Sequence, residues 1–335
     1  MIPQTEQINT KQDWQVALAN CINDPDLLLN QLGLTERLAA IDSKLIKNFP
    51  LRVPQNYINK MRYGDADDPL LRQVFPLIDE GITVDKFVTD PVGDSFAVTA
   101  PGILQKYHGR ALLVTTGACA IHCRYCFRRH FPYGDSNPLA SQWLETLSTL
   151  RDDSTINEVI LSGGDPLVLT DSKLAAMVSD LEKIPQLKRL RIHTRLPIVL
   201  PERIDQHLLK WIESTRLQVI MVVHANHANE IDTEVAAALD RLRRIGCQLL
   251  NQAVLLKGIN DNAESLVALS ERLSDVNVMP YYLHLLDPVA GASHFDVPDQ
   301  IGIELINSIR KKLPGYLVPR LVREQQGEAS KTILA

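Results

Sequence analysis

A chain of 335 residues, 45% of them hydrophobic, can bury a large core as one α/β domain or two smaller ones. Its 35 basic and 40 acidic side chains give a net charge of −5 with no long run of either sign, which argues against a nucleic-acid partner. No uncharged apolar run approaches the ~20 residues that span a bilayer, and five cysteines, an odd number, do not look like a disulfide framework; a cytoplasmic protein with reduced thiols is expected.

The opening stretch, "MIPQTEQINTKQDWQ", is polar and lacks the apolar segment of a secretory leader. "DPDLLLNQLGL" (24–34) reads as a helix, with an acidic start, an apolar face and a glycine near its end. "RVPQNYINKMRYGDADDPLLRQVFP" (52–76) suggests two short helices, and "TDPVGDSFAVTAPG" (89–102) is turn-rich connecting chain. A mostly helical N-terminal region is therefore expected over 1–105.

From about residue 110 short apolar or β-branched runs alternate with longer helical stretches. The runs cover 111–116, 158–163, 189–194, 217–224, 247–256 and 278–286, with amphipathic segments such as "SKLAAMVSDLEKI" and "TEVAAALDRLRRIG" between them. Six β–α units in series imply a parallel sheet with helical crossovers and strands apolar on both faces. A partial (β/α)6, TIM-like barrel over 106–335 explains one long series better than a doubly wound sheet. Chemistry then belongs at the carboxyl ends of the strands. The polar residues found there are Thr115 and Thr116, Ser162-Gly163-Gly164-Asp165, His193 with Arg195, His224, Asn251 with Gln252, and His284 with Asp287.

"GACAIHCRYCFRRHFPYG" (117–134) places Cys119, Cys123 and Cys126 in the spacing C-x3-C-x2-C. Three thiolates can serve a zinc site completed by His122 or His130, a thiol–disulfide couple that leaves Cys119 idle, or an iron–sulfur cluster with one iron free for another ligand. His224 and His227 offer an H-x-x-H pair without an evident acidic third ligand. The basic cluster Arg124, Arg128, Arg129 and His130 surrounds the cysteines.

C-x3-C-x2-C directly after the first barrel strand, Tyr125 before the last cysteine, and "SGGDP" (162–166) after the second strand resemble the radical S-adenosylmethionine superfamily. "CRYCFRRHFPYG", "SGGDPL", "RLRIHTRLPIVLPERI", "HANHANE", "LLNQAVLLKGINDN" and "MPYYLHLLDPVAGASHF", in order from about residue 50 onward, are similar to the lysine 2,3-aminomutase family. Within it the chain looks like the short form that makes (R)-β-lysine for modification of elongation factor P.

The resemblance implies a radical S-adenosylmethionine fold whose C-terminal tail closes the barrel mouth. It also implies a [4Fe–4S] cluster, S-adenosylmethionine and pyridoxal 5'-phosphate as cofactors. The implied substrate is L-lysine, held to pyridoxal phosphate as an imine while its nitrogen migrates. A protein reductant for the cluster and a functional link to elongation factor P and its lysyl ligase follow. By the same resemblance Cys119, Cys123 and Cys126 hold the cluster. Ser162, Gly163, Gly164, Asp165, His224 and Gln252 contact S-adenosylmethionine, and Lys331, Arg110 and Tyr107 serve pyridoxal phosphate. Arg128 grips the substrate carboxylate, and Asp287 with Glu324 binds the ε-ammonium. Glu324 stands where the family has aspartate, which keeps the charge and lengthens the side chain by one methylene. Read without the family, Lys331 would be ordinary solvated tail. Two other readings stay open: a radical S-adenosylmethionine enzyme without pyridoxal phosphate, and a zinc-stabilised binding module.

Overall fold

The computed structural model describes residues 12–35, 49–133 and 142–335, so most of the polar opening stretch lies outside it. Among the described residues ten strands form one sheet in sequential order. They are β1 (Val98–Ala100), β2 (Ile103–Leu104), β3 (Arg110–Thr116), β4 (Glu158–Gly163), β5 (Arg189–Thr194), β6 (Gln218–Val223), β7 (Gln248–Val254), β8 (Met279–His284), β9 (Arg320–Arg323) and β10 (Thr332–Ile333). Pairing is parallel from β3 through β9 and antiparallel at both ends, where β1 and β2 lead into β3 and β10 turns back on β9. The six expected strands are β3 to β8. The additional parallel strand, "RLVR", is short and flanked by charge, so its apolar pattern gives no warning of it.

Three of the crossover helices start at a side chain that caps them. Asp205 accepts from Leu208 N ahead of Gln206–Ser214, Asp232 from Val235 N ahead of Thr233–Arg244, and Asn262 from Ser265 N ahead of Ala263–Asp275, each at 2.9 Å. Each helix buries one stripe against the sheet; Val235, Ala238, Leu239 and Leu242 form that of Thr233–Arg244. One apolar cluster extends from Trp14 and Tyr57 through the strands to Leu321. The early helices Asp13–Ala19, Pro25–Gln31 and Gln55–Ile58 thus pack on the same core as the sheet. No helix among the described residues is long and apolar enough to cross a membrane.

The expectation of strands apolar on both faces is met by β4 and β6 but fails at β5 and β7. There buried residues alternate with partly exposed ones: Arg189, Arg191 and His193 share one face of β5. The reason is a cavity of about 490 Å³, which takes the inner face of the sheet away from the apolar core. Its lining includes Leu104 of β2, Arg191 of β5, Gln252 of β7 and Ile333 of β10. Strands lie ~4.8 Å apart, so a flat sheet would separate β2 from β10 by ~38 Å. One cavity touching both means that the sheet curls into an open barrel. Side chains close the gap: Tyr107 Oη donates to Glu324 Oε1 at 2.7 Å, and Lys106 Nζ lies 3.6 Å from the same carboxylate.

Candidate active site

The loop after β3 carries all three clustered cysteines to the cavity wall. It is held by backbone bonds to the N-terminal region, His122 N to Arg52 O at 3.0 Å and Arg124 N to Gln73 O at 2.9 Å. Beneath the loop, Arg124 donates to both oxygens of Glu80 at 2.6 and 2.5 Å, and Arg129 adds a contact at 2.9 Å. Three of the four residues in the basic cluster are therefore committed: Arg124 and Arg129 to Glu80, and Arg128 to Asp94.

Burial, reinforced by the neighbouring sulfurs, pushes the Cys119 thiol well up and the Cys126 thiol up to about 11. Thiolates crowded in this way are stabilised by a cationic ligand such as iron. Among the described residues no group of three His, Cys, Asp or Glu is placed to hold one metal ion. His122 Nδ1 lies 2.8 Å from Pro50 O, with its ring stacked on Phe49, and His130 Nε2 lies 3.2 Å from Ala290 O. His227 is engaged as a helix cap, with its Nδ1 accepting from Asn229 N at 3.2 Å. Among the described residues a single zinc ion therefore finds no ligand set, whereas a cluster spreads its thiolates over separate iron atoms.

The glycine pair after β4 lets the cysteine loop pass. Gly163 has φ +114°, and a Cβ there would meet Thr116 O at 2.7 Å; one on Gly164 would collide with the Ala118 carbonyl. Backbone bonds seal the crossing, Gly164 N to Thr116 O at 2.7 Å and Asp165 N to Ala118 O at 2.8 Å. Asp165 lines the cavity, but its carboxylate faces the protein. It accepts from Thr194 Oγ1 at 2.6 Å, Arg195 N at 2.7 Å, Leu167 N at 3.1 Å and Leu196 N at 3.2 Å. It ties the ends of β4 and β5 together.

Charged side chains line the same cavity. Arg128 is buried, with Nε donating to Asp94 Oδ2 at 2.7 Å and Nη1 to Ser162 Oγ at 3.0 Å. Lys106 Nζ reaches Asp94 Oδ1 at 2.7 Å. Burial opposes ionisation of Asp94, but Arg128 and Lys106 outweigh it and hold the carboxyl below its usual range. Lys331 pairs with Glu324 Oε2 across the β9–β10 turn. Burial pushes Asp287 up to about 7, with Lys331 pulling it down and Glu324 pushing it up. Lower in the barrel, Arg110, Arg191 and Arg320 line the cavity beside Tyr281 and Tyr282, and Arg191 Nε is buried without a hydrogen-bond partner.

Residues 113–269 match the Radical SAM superfamily. L-lysine 2,3-aminomutase of Escherichia coli (strain K12) is 46% identical over 97% of this chain and 95% of its own length. The enzyme of the same name from Haemophilus influenzae is 45% identical over 100% and 99%. That of Clostridium subterminale is 30% identical over 96% of this chain and 77% of its own length. The chain belongs to the L-lysine 2,3-aminomutase family. Membership brings with it a [4Fe–4S] cluster, S-adenosylmethionine and pyridoxal phosphate.

The residues present fit these three groups. Three thiols on one wall suit a cluster, and three guanidinium groups, one with an orphaned Nε, suit a phosphate. His193 and His284 each present a buried, unpartnered Nε2 to the cavity. Burial keeps both rings, and that of His224 (down to about 3), neutral. Every site residue expected from the sequence of this family member lines the one cavity: Tyr107, Arg110, Cys119, Cys123, Cys126, Arg128, Ser162, Gly163, Gly164, Asp165, His224, Gln252, Asp287, Glu324 and Lys331. Among the polar strand ends, Thr115, Thr116 and Asn251 are absent from the lining. Asn251 braces the turn after β6, exchanging two hydrogen bonds with Ala225 at 2.9 and 3.0 Å.

Sequence reasoning missed Asp94, Lys106, Arg191 and Arg320. Asp94 sits in "TDPVGDSFAV", which reads only as a turn, Arg191 lies inside a strand that looks structural, and Arg320 opens a strand too short to show in the sequence. Alternation along β5 was the one available signal.

Proposed function

We propose that this chain is a lysine 2,3-aminomutase that converts L-lysine to (R)-β-lysine. The observation that carries the reading is that the three cysteines, Lys331, Arg128 and the carboxylates of Asp94, Asp287 and Glu324 line a single cavity. Cys119, Cys123 and Cys126 would hold the cluster. Gly163, Gly164, His224 and Gln252 would hold S-adenosylmethionine, and Lys331 with Arg110, Arg191 and Arg320 would hold pyridoxal phosphate. When bound, the cluster and S-adenosylmethionine supply one-electron hydrogen abstraction, and pyridoxal phosphate supplies the carbon centre that keeps the migrating nitrogen attached.

The protein contributes position and charge. Arg128 presents a planar fork to the lysine carboxylate, held in orientation by Asp94 and Ser162. Asp287 and Glu324 place negative charge for the ε-ammonium, and a second carboxylate in the substrate would be repelled there. Glu324 also accepts from Tyr107, so the residue that neutralises Lys331 is itself held to the opposite edge of the barrel. Curling the sheet round the cavity excludes solvent from the reacting atoms. The product would serve modification of elongation factor P through its lysyl ligase, and a low-potential reductant protein would supply the electron.

The deciding experiment is an anaerobic incubation of reconstituted protein with L-lysine, S-adenosylmethionine, pyridoxal phosphate and dithionite, followed by chiral analysis for β-lysine. Accumulation of (R)-β-lysine is expected. Protein with full iron, sulfide and pyridoxal content that makes none would overturn the reading.

A further inference from the structure

Arg195, just past β5, is 6% exposed and sits at the centre of a polar network inside the molecule. Its Nη1 donates to Cys123 Sγ at 2.6 Å. Its Nη2 donates to Gln73 Oε1 at 2.6 Å and to Glu230 Oε2 at 2.8 Å. Glu230 is wholly buried, and its other oxygen accepts from Asn226 N at 2.8 Å, His227 N at 3.1 Å and Gln73 Nε2 at 3.1 Å. The Arg195 backbone is fixed as well, through its N–H to Asp165 Oδ2 at 2.7 Å. A buried ion pair is an expensive way to join a strand end to a loop; apolar groups of the same volume would do so at least as well. What apolar groups cannot do is place a guanidinium against one sulfur of the cysteine triplet.

We propose that Arg195, held by Glu230, sets the reduction potential of the cluster bound by Cys119, Cys123 and Cys126. The inference rests on the reading that these cysteines hold a [4Fe–4S] cluster. A cation donating a hydrogen bond to a ligand sulfur favours the cluster state that carries the additional electron, and so raises the potential. Glu230 has two effects: it fixes the guanidinium, and its negative charge offsets part of the guanidinium's field. Arg195 is thus a positioning and tuning residue, acting through Cys123. The electrostatic role carries a signature that a packing role lacks, because removing the two charges must move the potential in opposite directions.

The test compares anaerobically reconstituted full-length wild type with R195Q, R195K and E230Q. Iron and sulfide are assayed first, and the cluster is then titrated potentiometrically with dithionite and followed by electron paramagnetic resonance. R195Q is expected to lower the reduced-to-oxidised ratio about tenfold at any fixed potential, a shift of about 59 mV for one electron. R195K, which keeps the charge, should return most of that shift, and E230Q should move the potential upward. Cluster-loaded R195Q and E230Q titrating with the wild type, or shifting in the same direction, overturns the proposal. If R195Q retains no iron, E230Q decides by the sign of its shift, and an unmoved or lowered potential overturns the proposal. Wild type without iron and sulfide sinks the cluster assignment itself; a wild-type cluster with unmoved variants sinks only the role of Arg195.

Discussion

At the scale of single residues, Asp287 and Glu324, the two carboxylates proposed for the ε-ammonium of lysine, differ in proton affinity. Burial raises Asp287 to about 7, whereas for Glu324 the effect of burial is outweighed by Lys331, Tyr107 and Lys106, which hold it below its usual range. Asp287 is therefore the carboxylate whose charge changes near neutrality. Lysine should bind to its ionised form, so KM is expected to rise as pH falls below about 7, by up to about tenfold per unit, with kcat changing less. D287N should flatten the KM profile; a wild-type KM independent of pH between 6 and 8 would show that this carboxylate does not bind the substrate. The sign for stability follows from linkage. The folded protein binds a proton at Asp287 that the unfolded chain has released between about 4 and 7, so this group favours folding less as pH rises through that window. Three pH units at about 1.4 kcal/mol each set an upper bound of about 4 kcal/mol, so D287N should stabilise the protein at pH 8 by part of that and not at pH 4.

At the scale of elements, the β9–β10 hairpin brings Lys331 into the cavity. Thr332 pairs with Arg323 and Ile333 with Val322, which sets Lys331 opposite Glu324. Two further bonds, Leu334 N to Leu321 O at 2.8 Å and Leu321 N to Ala335 O at 3.0 Å, fasten the last residues to the sheet. Removing Thr332–Ala335 should leave the cluster in place but reduce the borohydride-trapped pyridoxyl adduct on Lys331 more than tenfold, as read by peptide mass mapping. An undiminished adduct would show that the strand does not position the lysine. This hairpin marks where the sequence stopped being legible. The strands β3 to β8 are long enough for an apolar run to declare them, and the barrel order placed His193, His224 and Asp287 at a common rim. β10 spans two residues and β9 four, too few for a period of two to register, and only the family resemblance singled out Lys331. Asp94 and Lys106 escaped for a related reason, since a pair 12 positions apart on connecting chain meets only because the cavity gathers it.

At the scale of the whole molecule, the cysteine loop is held between parts of the chain that are distant in sequence. Glu80, with a side chain 0% exposed, accepts from Arg124 and Arg129 of the loop. Arg124 Nη1 reaches Phe49 O at 2.7 Å, and Arg129 Nη1 reaches Gly291 O at 3.2 Å in the segment after β8. One carboxylate thereby joins the N-terminal region, the candidate cluster loop and the far side of the barrel. One guanidinium already balances its charge, so the trio carries a net +1 that this carboxylate keeps from being +2. E80Q keeps the shape and leaves two buried cations facing each other without a counter-ion, an arrangement that typically costs about 3–5 kcal/mol. Anaerobic thermal denaturation should show the midpoint falling by several degrees, with iron lost earlier in the transition than in the wild type. Replacing Glu80, Arg124 and Arg129 together by methionine removes the uncompensated charge, and should recover most of the lost stability if the cost in E80Q is electrostatic. An E80Q protein melting with the wild type would mean that the loop is held by its backbone bonds to Arg52 and Gln73 alone.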